Sequence, residues 1–169
     1  MKFHILLYVV SIIAANYTAT WFLPFTNLIP ISVGTLIFGI TFTQRDKIHF
    51  LGRKRVYTII FATALLNSIL SVFWEIPNRI LLASFLSITI SEITDTEVYQ
   101  AYIKKHWFVR ILRSNIVSIP IDSALFNLIA FYAIYSSTFI VGLILGEIIV
   151  KSSVSIIYAV LLKKYFLSS

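Results

Sequence analysis

Three carboxylates, Glu92, Asp95 and Glu97, stand inside the stretch Ser91-Glu92-Ile93-Thr94-Asp95-Thr96-Glu97-Val98-Tyr99-Gln100. Around them the chain is largely apolar from near Arg79 to near Ile103. As a helix, that run of roughly 24 residues spans a hydrocarbon core of ~30 Å and sets Glu92 near the bilayer midplane. An ionisable side chain there costs at least ~2.5 kcal/mol on insertion scales and points to a polar site or pathway. A spacing of three puts Glu92 and Asp95 on one helix face, and Tyr99, seven beyond Glu92, shares it. Asp122 in the next apolar segment is the further acid. Asp95 lies eight residues before Ile103 and Asp122 eight after Ser114, so both are expected ~12 Å from the cytoplasmic end, at matching depth. Glu92, Asp95, Asp122 and Tyr99 are expected to converge on one pocket between antiparallel neighbours.

Two kinds of chemistry suit such a constellation. One is a substrate or proton site. The other is a set of ion pairs with Arg110, Arg113 or Lys151 that holds a bundle together. Glu97, near the cytoplasmic end, reads equally as a solvated or salt-bridged residue. Glu147 and Lys151 are four apart, which suits an internal ion pair that neutralises both. Asn67 and Asn127 are single polar residues suited to hydrogen bonding between helices. His4, His49 and His106 are dispersed and make no metal site. No Ser/His/Asp set, paired-His motif or phosphate-cradling glycine loop is present, so the sequence supports no catalytic residue, cofactor or enzymatic activity.

The elements that must position these groups follow from composition. Of 169 residues, 59% are hydrophobic and 12% charged, with mean hydropathy +0.90, which describes an integral membrane protein. Net charge is +7, but the basic residues cluster between apolar segments as topology signals do, so nucleic acid is excluded as a partner. The absence of cysteine excludes disulfides and thiolate metal sites. The pattern predicts an all-α bundle of six transmembrane helices forming a single transmembrane domain, 1–169. The spans run about Phe3 to Phe22, Leu28 to Thr43, Val56 to Trp74, Arg79 to Ile103, Ser114 to Tyr135 and Thr138 to Leu162. Pro24 and Pro30 bracket a turn. Gly34 and Gly39 in helix two suit close approach of another helix or a substrate, and Gly142 and Gly146 allow close contact on helix six. The first apolar run is too long for a signal peptide and has no clear cleavage site, so it reads as a membrane helix.

With both termini cytoplasmic, twelve of the fourteen Lys and Arg residues fall on the inside, only Arg79 outside, and Lys151 within helix six. The positive-inside rule therefore selects an inner-membrane, multi-pass protein with both ends inside, and Trp21, Trp74 and Trp107 fall near helix ends as interfacial indoles do. The lipid bilayer is then an obligatory partner, and assembly into a homo-oligomer is compatible with this arrangement.

Four stretches carry a family resemblance. The run from Gly34-Thr35-Leu36 through Gln44-Arg45-Asp46, followed by Leu51-Gly52-Arg53, resembles the second-helix and basic-loop signature of the VUT family, the YhhQ-like queuosine precursor transporters. Ser91 to Tyr99 looks like its fourth-helix motif, Arg113-Ser114-Asn115 to Asp122-Ser123-Ala124-Leu125-Phe126 its fifth-helix motif, and Ala14-Ala15-Asn16 fits its opening helix. The resemblance implies uptake of 7-cyano-7-deazaguanine or 7-aminomethyl-7-deazaguanine, which serve tRNA modification, through a site between helices four and five. A deazaguanine presents two adjacent donors that a carboxylate accepts together, and a flat ring suited to Tyr99, Phe126 or Trp107. The implied substrate-binding residues are Glu92, Asp95, Tyr99, Asp122, Asn115, Phe126 and Asn16. Arg45, Asp46 and Arg113 are gating or structural residues, with an Arg45–Asp46 pair suited to gate the inner mouth. A membrane scaffold or assembly subunit, or a carrier of another nucleobase-like solute, is the alternative. A scaffold would tie Glu92, Asp95 and Asp122 into ion pairs and leave no cavity.

Overall fold

The computed structural model describes residues 1–24 and 30–166. Six α-helices carry the fold: α1 (Lys2–Tyr17), α2 (Val33–Ile48), α3 (Arg53–Phe73), α4 (Asn78–Ala101), α5 (Trp107–Phe131) and α6 (Ser137–Phe166). Two short strands, β1 (Phe22–Pro24) and β2 (Pro30–Ser32), pair antiparallel between α1 and α2, with Phe22 opposite Ser32 and Pro24 opposite Pro30.

The first helix is shorter than its expected span of Phe3 to Phe22. It stops at Tyr17, because Thr18 turns its hydroxyl back to the Ala14 carbonyl at 2.8 Å and the chain leaves the helix for the strand pair. The two prolines sit at the end of that pair, where a missing N–H costs no central ladder bond. The turn expected between them lies outside the described residues, as do the side chains of Lys163 and Lys164. Helix two lies farther along the chain than its expected span of Leu28 to Thr43. Ser32 caps it by accepting from the Thr35 N–H at 3.0 Å, and it runs on past the expected end at Thr43 through Gln44, Arg45, Asp46 and Lys47. Nothing breaks the helical backbone until Gly52, whose φ of +88° a side chain rarely adopts. Helix five also starts early, at Trp107, with the His106 ring accepting from the Phe108 N–H at 3.3 Å. That extra length alters depth relations at the site.

Apolar and charged residues are distributed as in a lipid solvent. Leu6, Phe61, Leu65, Ile69, Phe73, Ile116, Val141, Leu145 and Ile149 are exposed, while Arg45, Glu92, Asp95, Asp122, Glu147 and Lys151 are buried. A soluble protein hides its apolar side chains and solvates its charges; this one does the reverse. α3, α5 and the 137–157 part of α6 are each long and apolar enough to cross a membrane. α1 is apolar but shorter, and α4, 24 residues long, carries Arg79, Glu92, Asp95 and Glu97. One core cluster joins Tyr8 and Ile12 of α1, Phe38 and Phe42 of α2, Val56 and Ile60 of α3, Ile88 of α4 and Ile119 of α5. A second, near the strands, joins Ala19, Ile80, Ala83, Ala130, Phe131, Ile140 and Leu143.

Gly34 marks a close approach of α2 to the end of α1. A Cβ there would run into the Ala15 carbonyl oxygen and lie 3.0 Å from the Ala19 Cα. Because both obstacles are backbone, Gly34→Ala should destabilise the protein by about 1–3 kcal/mol. Thermal unfolding of the detergent-solubilised variant checks this, and an unchanged midpoint would show that α1 can move aside freely.

Candidate functional site

The buried charges divide into two groups, each built around one cation. Arg45 organises the first. α2 carries it into the interior, only 1% exposed, where Nη1 lies 3.2 Å from Glu92 Oε1 and Nη2 2.7 Å from Asp95 Oδ1. Nη2 also donates to Asn115 Oδ1 of α5, and the guanidinium lies 4.6 Å from the centre of the Phe42 ring. Asp95 is fully engaged, accepting in addition from Ser118 Oγ at 3.0 Å and meeting His49 Nε2 at 3.0 Å. Glu92 is not: its Oε2 is buried without a hydrogen-bond partner, as are Asp46 Oδ1 and the Tyr8 hydroxyl. A planar fork that reaches two carboxylates and an amide on different helices ties α2, α4 and α5 together in a way a lysine cannot.

Lys151 organises the second group. Its Nζ donates to Asp122 Oδ2 at 2.7 Å, to Glu147 Oε2 at 2.5 Å and to Ser123 Oγ at 3.2 Å, which joins α6 to α5. Asp122 Oδ1 accepts from Ser91 Oγ at 3.3 Å. Asp122, Glu147 and Lys151 line a cavity whose non-atom space is about 380 Å³, including the part open to solvent. Its other walls are Asn16 and Ala19 beside the strands, Ser32 and Thr35 where α2 begins, Phe38, Ser84, Ser87 and Ile88, and Phe126. Asn16 donates from Nδ2 to Ser71 Oγ at 2.6 Å and leaves Oδ1 without a partner. The cavity thus offers two carboxylates, one ammonium, a spare amide acceptor, several hydroxyls and two aromatic rings.

The single pocket expected from spacing is therefore resolved into two sites. Glu92 and Asp95 do share a face, and both meet Arg45. Asp122 does not lie level with Asp95. Ser118 is the α5 residue opposite Asp95, and Asp122, one turn on, stands opposite Ser91. The early start of α5 at Trp107 carries Asp122 deeper than a start at Ser114 would. Of the seven expected binding residues, Asp122, Phe126 and Asn16 line the cavity, whereas Glu92, Asp95, Tyr99 and Asn115 do not. Tyr99 is no open stacking platform, since the His49 ring lies parallel to it at 4.2 Å and 13°, and Arg110 stands 5.2 Å from its centre. Asn115 spans from Arg45 to Ser155 Oγ, the latter at 2.6 Å. Arg113 is exposed, 5.5 Å from the Tyr102 ring, and Glu97 pairs at the surface with Arg53 and Tyr57. Asp46 is buried beside Arg45, yet Arg45 spends its fork on Glu92 and Asp95.

Several participants escaped sequence reasoning. His49 lies outside the expected span of helix two, but it follows Arg45 by four and so shares its face because the helical backbone continues. Ser91, Ser118 and Ser155 have no sequence signal beyond being small and polar. Glu147 and Lys151 do form the expected i,i+4 pair, but only the fold shows that Asp122 joins them and that all three face a cavity. All three expected acids sit in ion pairs, as a scaffold would have them, but a cavity is present beside one of them.

Residues 71–164, more than half of the chain, match the family described as "Putative vitamin uptake transporter". No curated protein and no solved structure matches the chain. The matched segment runs from the end of α3 through α6 and so contains Glu92, Asp95, Asp122, Glu147 and Lys151, the acids and the ammonium of both charge groups. Charges held inside an apolar shell, next to a cavity, are what a membrane carrier of a small vitamin-like solute requires, and the chain belongs to the vitamin uptake transporter family.

Proposed function

We propose that this chain imports a queuosine precursor, 7-cyano-7-deazaguanine or 7-aminomethyl-7-deazaguanine, across the inner membrane. The observation that carries the proposal is the cavity in which Asp122, Glu147 and Lys151 face Asn16 and Phe126. A deazaguanine base places adjacent N–H donors on one edge and an acceptor carbonyl beside them. Asp122 or Glu147 accepts the donors, Lys151 donates to the carbonyl, Asn16 Oδ1 takes a remaining donor, and Phe126 meets the ring face. The four motifs that resemble YhhQ-like transporters support this substrate over other flat, donor-rich solutes.

The proposed arrangement has six spans in a single domain, with both termini cytoplasmic. α1 and α2, at ~24 Å each, are completed at the outer face by the strand pair. The cavity, bounded by Ala19 and Ser32 at that end, then faces outward. The Arg45 network closes the path inward. Reporter fusions after Lys54 and after Lys164 should both give cytoplasmic signals, and a periplasmic signal at either would overturn the topology.

The substrate is tested in a bacterium that neither makes the precursor nor has its own importer. Supplying either deazaguanine at limiting concentration should restore queuosine in tRNA when the chain is expressed. Correct insertion without any rescue would overturn the substrate assignment.

A further inference from the structure

Five of the seven acidic residues, Asp46, Glu92, Asp95, Asp122 and Glu147, are buried. Facing them are the cations Arg45 and Lys151, one imidazole, His49, and the half-buried Lys47 beside Asp46. Even with His49 charged, the interior holds one more carboxylate than cations. An uncompensated charge out of water costs far more than a neutral acid, so such a group takes up a proton or another cation. A metal ion does not fit. Arg45 and Lys151 already hold one oxygen each of Glu92, Asp95, Asp122 and Glu147 at 2.5–3.2 Å, and no grouping among the described residues offers three acidic, His or Cys ligands.

One carboxylate is placed to take the proton. Glu92 is completely buried, and only its Oε1 is held, by Arg45. Its Oε2 has no hydrogen-bond partner. The groups around it are the Tyr8 hydroxyl of α1, which faces Glu92 without closing a full hydrogen bond, Arg45 and Asp46 of α2, Asp95 of α4 with His49 beyond it, and Asp122 of α5. Lys151 of α6 stands behind Asp122, and α3 contributes the apolar Val56 and Ile60 to the neighbouring core. Ser91, adjacent in sequence, donates to Asp122 at the cavity wall. A line of polar groups therefore runs from the cavity, through Asp122 and Ser91, to Glu92, the next residue in sequence, and on to Asp95 and His49 on the far side.

We infer that this transporter is a proton symporter in which Glu92 carries the proton between the cavity and the Arg45 network. The inference rests on the transporter reading above and adds its coupling ion. A proton entering from the outer solution adds to Glu92 Oε2 to form the neutral acid. Arg45 is then shared less tightly between Glu92 and Asp95, which loosens the closure at the inner end. Release of the same proton to the cytoplasmic side restores the carboxylate and the closed network. No bond other than O–H is made or broken.

The test uses the full chain in proteoliposomes loaded with a pH-sensitive dye, with the membrane potential clamped. Adding 7-aminomethyl- or 7-cyano-7-deazaguanine outside should acidify the lumen, and an inside-alkaline step of one pH unit should raise accumulation about tenfold for one proton per solute. Uptake that is indifferent to the gradient and moves no protons would overturn the inference while leaving the substrate reading intact. Absence of uptake of either base would overturn the substrate reading instead. Infrared titration of the purified protein, which needs no solute, then decides the coupling. A protonated-carboxyl band should titrate in the wild type, disappear in Glu92→Gln and persist in Asp46→Asn. No such band in the wild type would sink the inference, and its loss in Asp46→Asn alone would take the role from Glu92. Should Glu92→Gln not insert, the wild-type dye and infrared signals decide by themselves.

Discussion

Arg45→Met should cost the protein about 3–5 kcal/mol of stability, the expected penalty for removing one partner of a buried ion pair. The side chain is 1% exposed and bonds Glu92, Asp95 and Asn115. Methionine fills part of the volume but leaves the buried carboxylates of Glu92 and Asp95, with Asp46 beside them, without their shared guanidinium. On a scaling of ~2–4 °C per kcal/mol, the unfolding midpoint in detergent should fall by roughly 6–20 °C. The cause can be isolated. Adding Glu92→Gln and Asp95→Asn to Arg45→Met removes the stranded charges and should recover much of the loss, because neighbours in one network are not additive. A single variant that melts within a degree or two of the wild type would show that the network holds nothing together. Arg45→Lys is the finer probe, since it keeps the charge and loses the fork, and it should fall between the two.

Asp122→Asn should lower uptake about 10- to 100-fold while inserting normally. Charge-assisted hydrogen bonds contribute ~1.5–3 kcal/mol, and each 1.4 kcal/mol is a factor of ten. The variant keeps the size of the side chain and one acceptor oxygen. It loses the carboxylate that holds Lys151 across α5 and α6 and that can accept two donors of a solute. Glu147 still partners Lys151 at 2.5 Å, so the ammonium is not stranded and the fold should survive. That separation is what makes Asp122 informative where Arg45 is not. Initial-rate uptake into proteoliposomes, normalised to inserted protein, measures the effect. Uptake within twofold of the wild type would remove Asp122 from the site.

Glu147 and Lys151 also differ from the Arg45 group in what their loss should mean. They join α6 to the cavity wall, whereas Arg45 closes the bundle below it. The same residue types, an acid pair around one cation, thus lie in closed packing in one place and against a cavity in the other. What separates the two is only whether empty space adjoins them.

Much of this protein is legible in its sequence. Six helical segments, the burial of Glu92, Asp95 and Asp122, the shared face of Glu92 and Asp95, and the Glu147–Lys151 pair all follow from hydropathy and from the 3.6-residue period, which act within a single helix. What the sequence left open lies between helices. Whether α2 ends at Thr43 or runs on to Ile48 is decided by whether Arg45 finds Glu92 and Asp95, because an arginine with buried partners belongs inside and one without them belongs in water. The depth of Asp122 depends on where α5 begins, and a stretch rich in Lys, His and Arg signals a loop until folding gives Arg110 the face of Tyr99. The strand pair depends on Trp21 and Val33 meeting through a backbone hydrogen bond of 2.7 Å. Local periodicity determines which residues share a face. Only tertiary packing decides which face meets which partner, because the energy of a buried charge depends on neighbours that are 46 to 70 residues away in the chain.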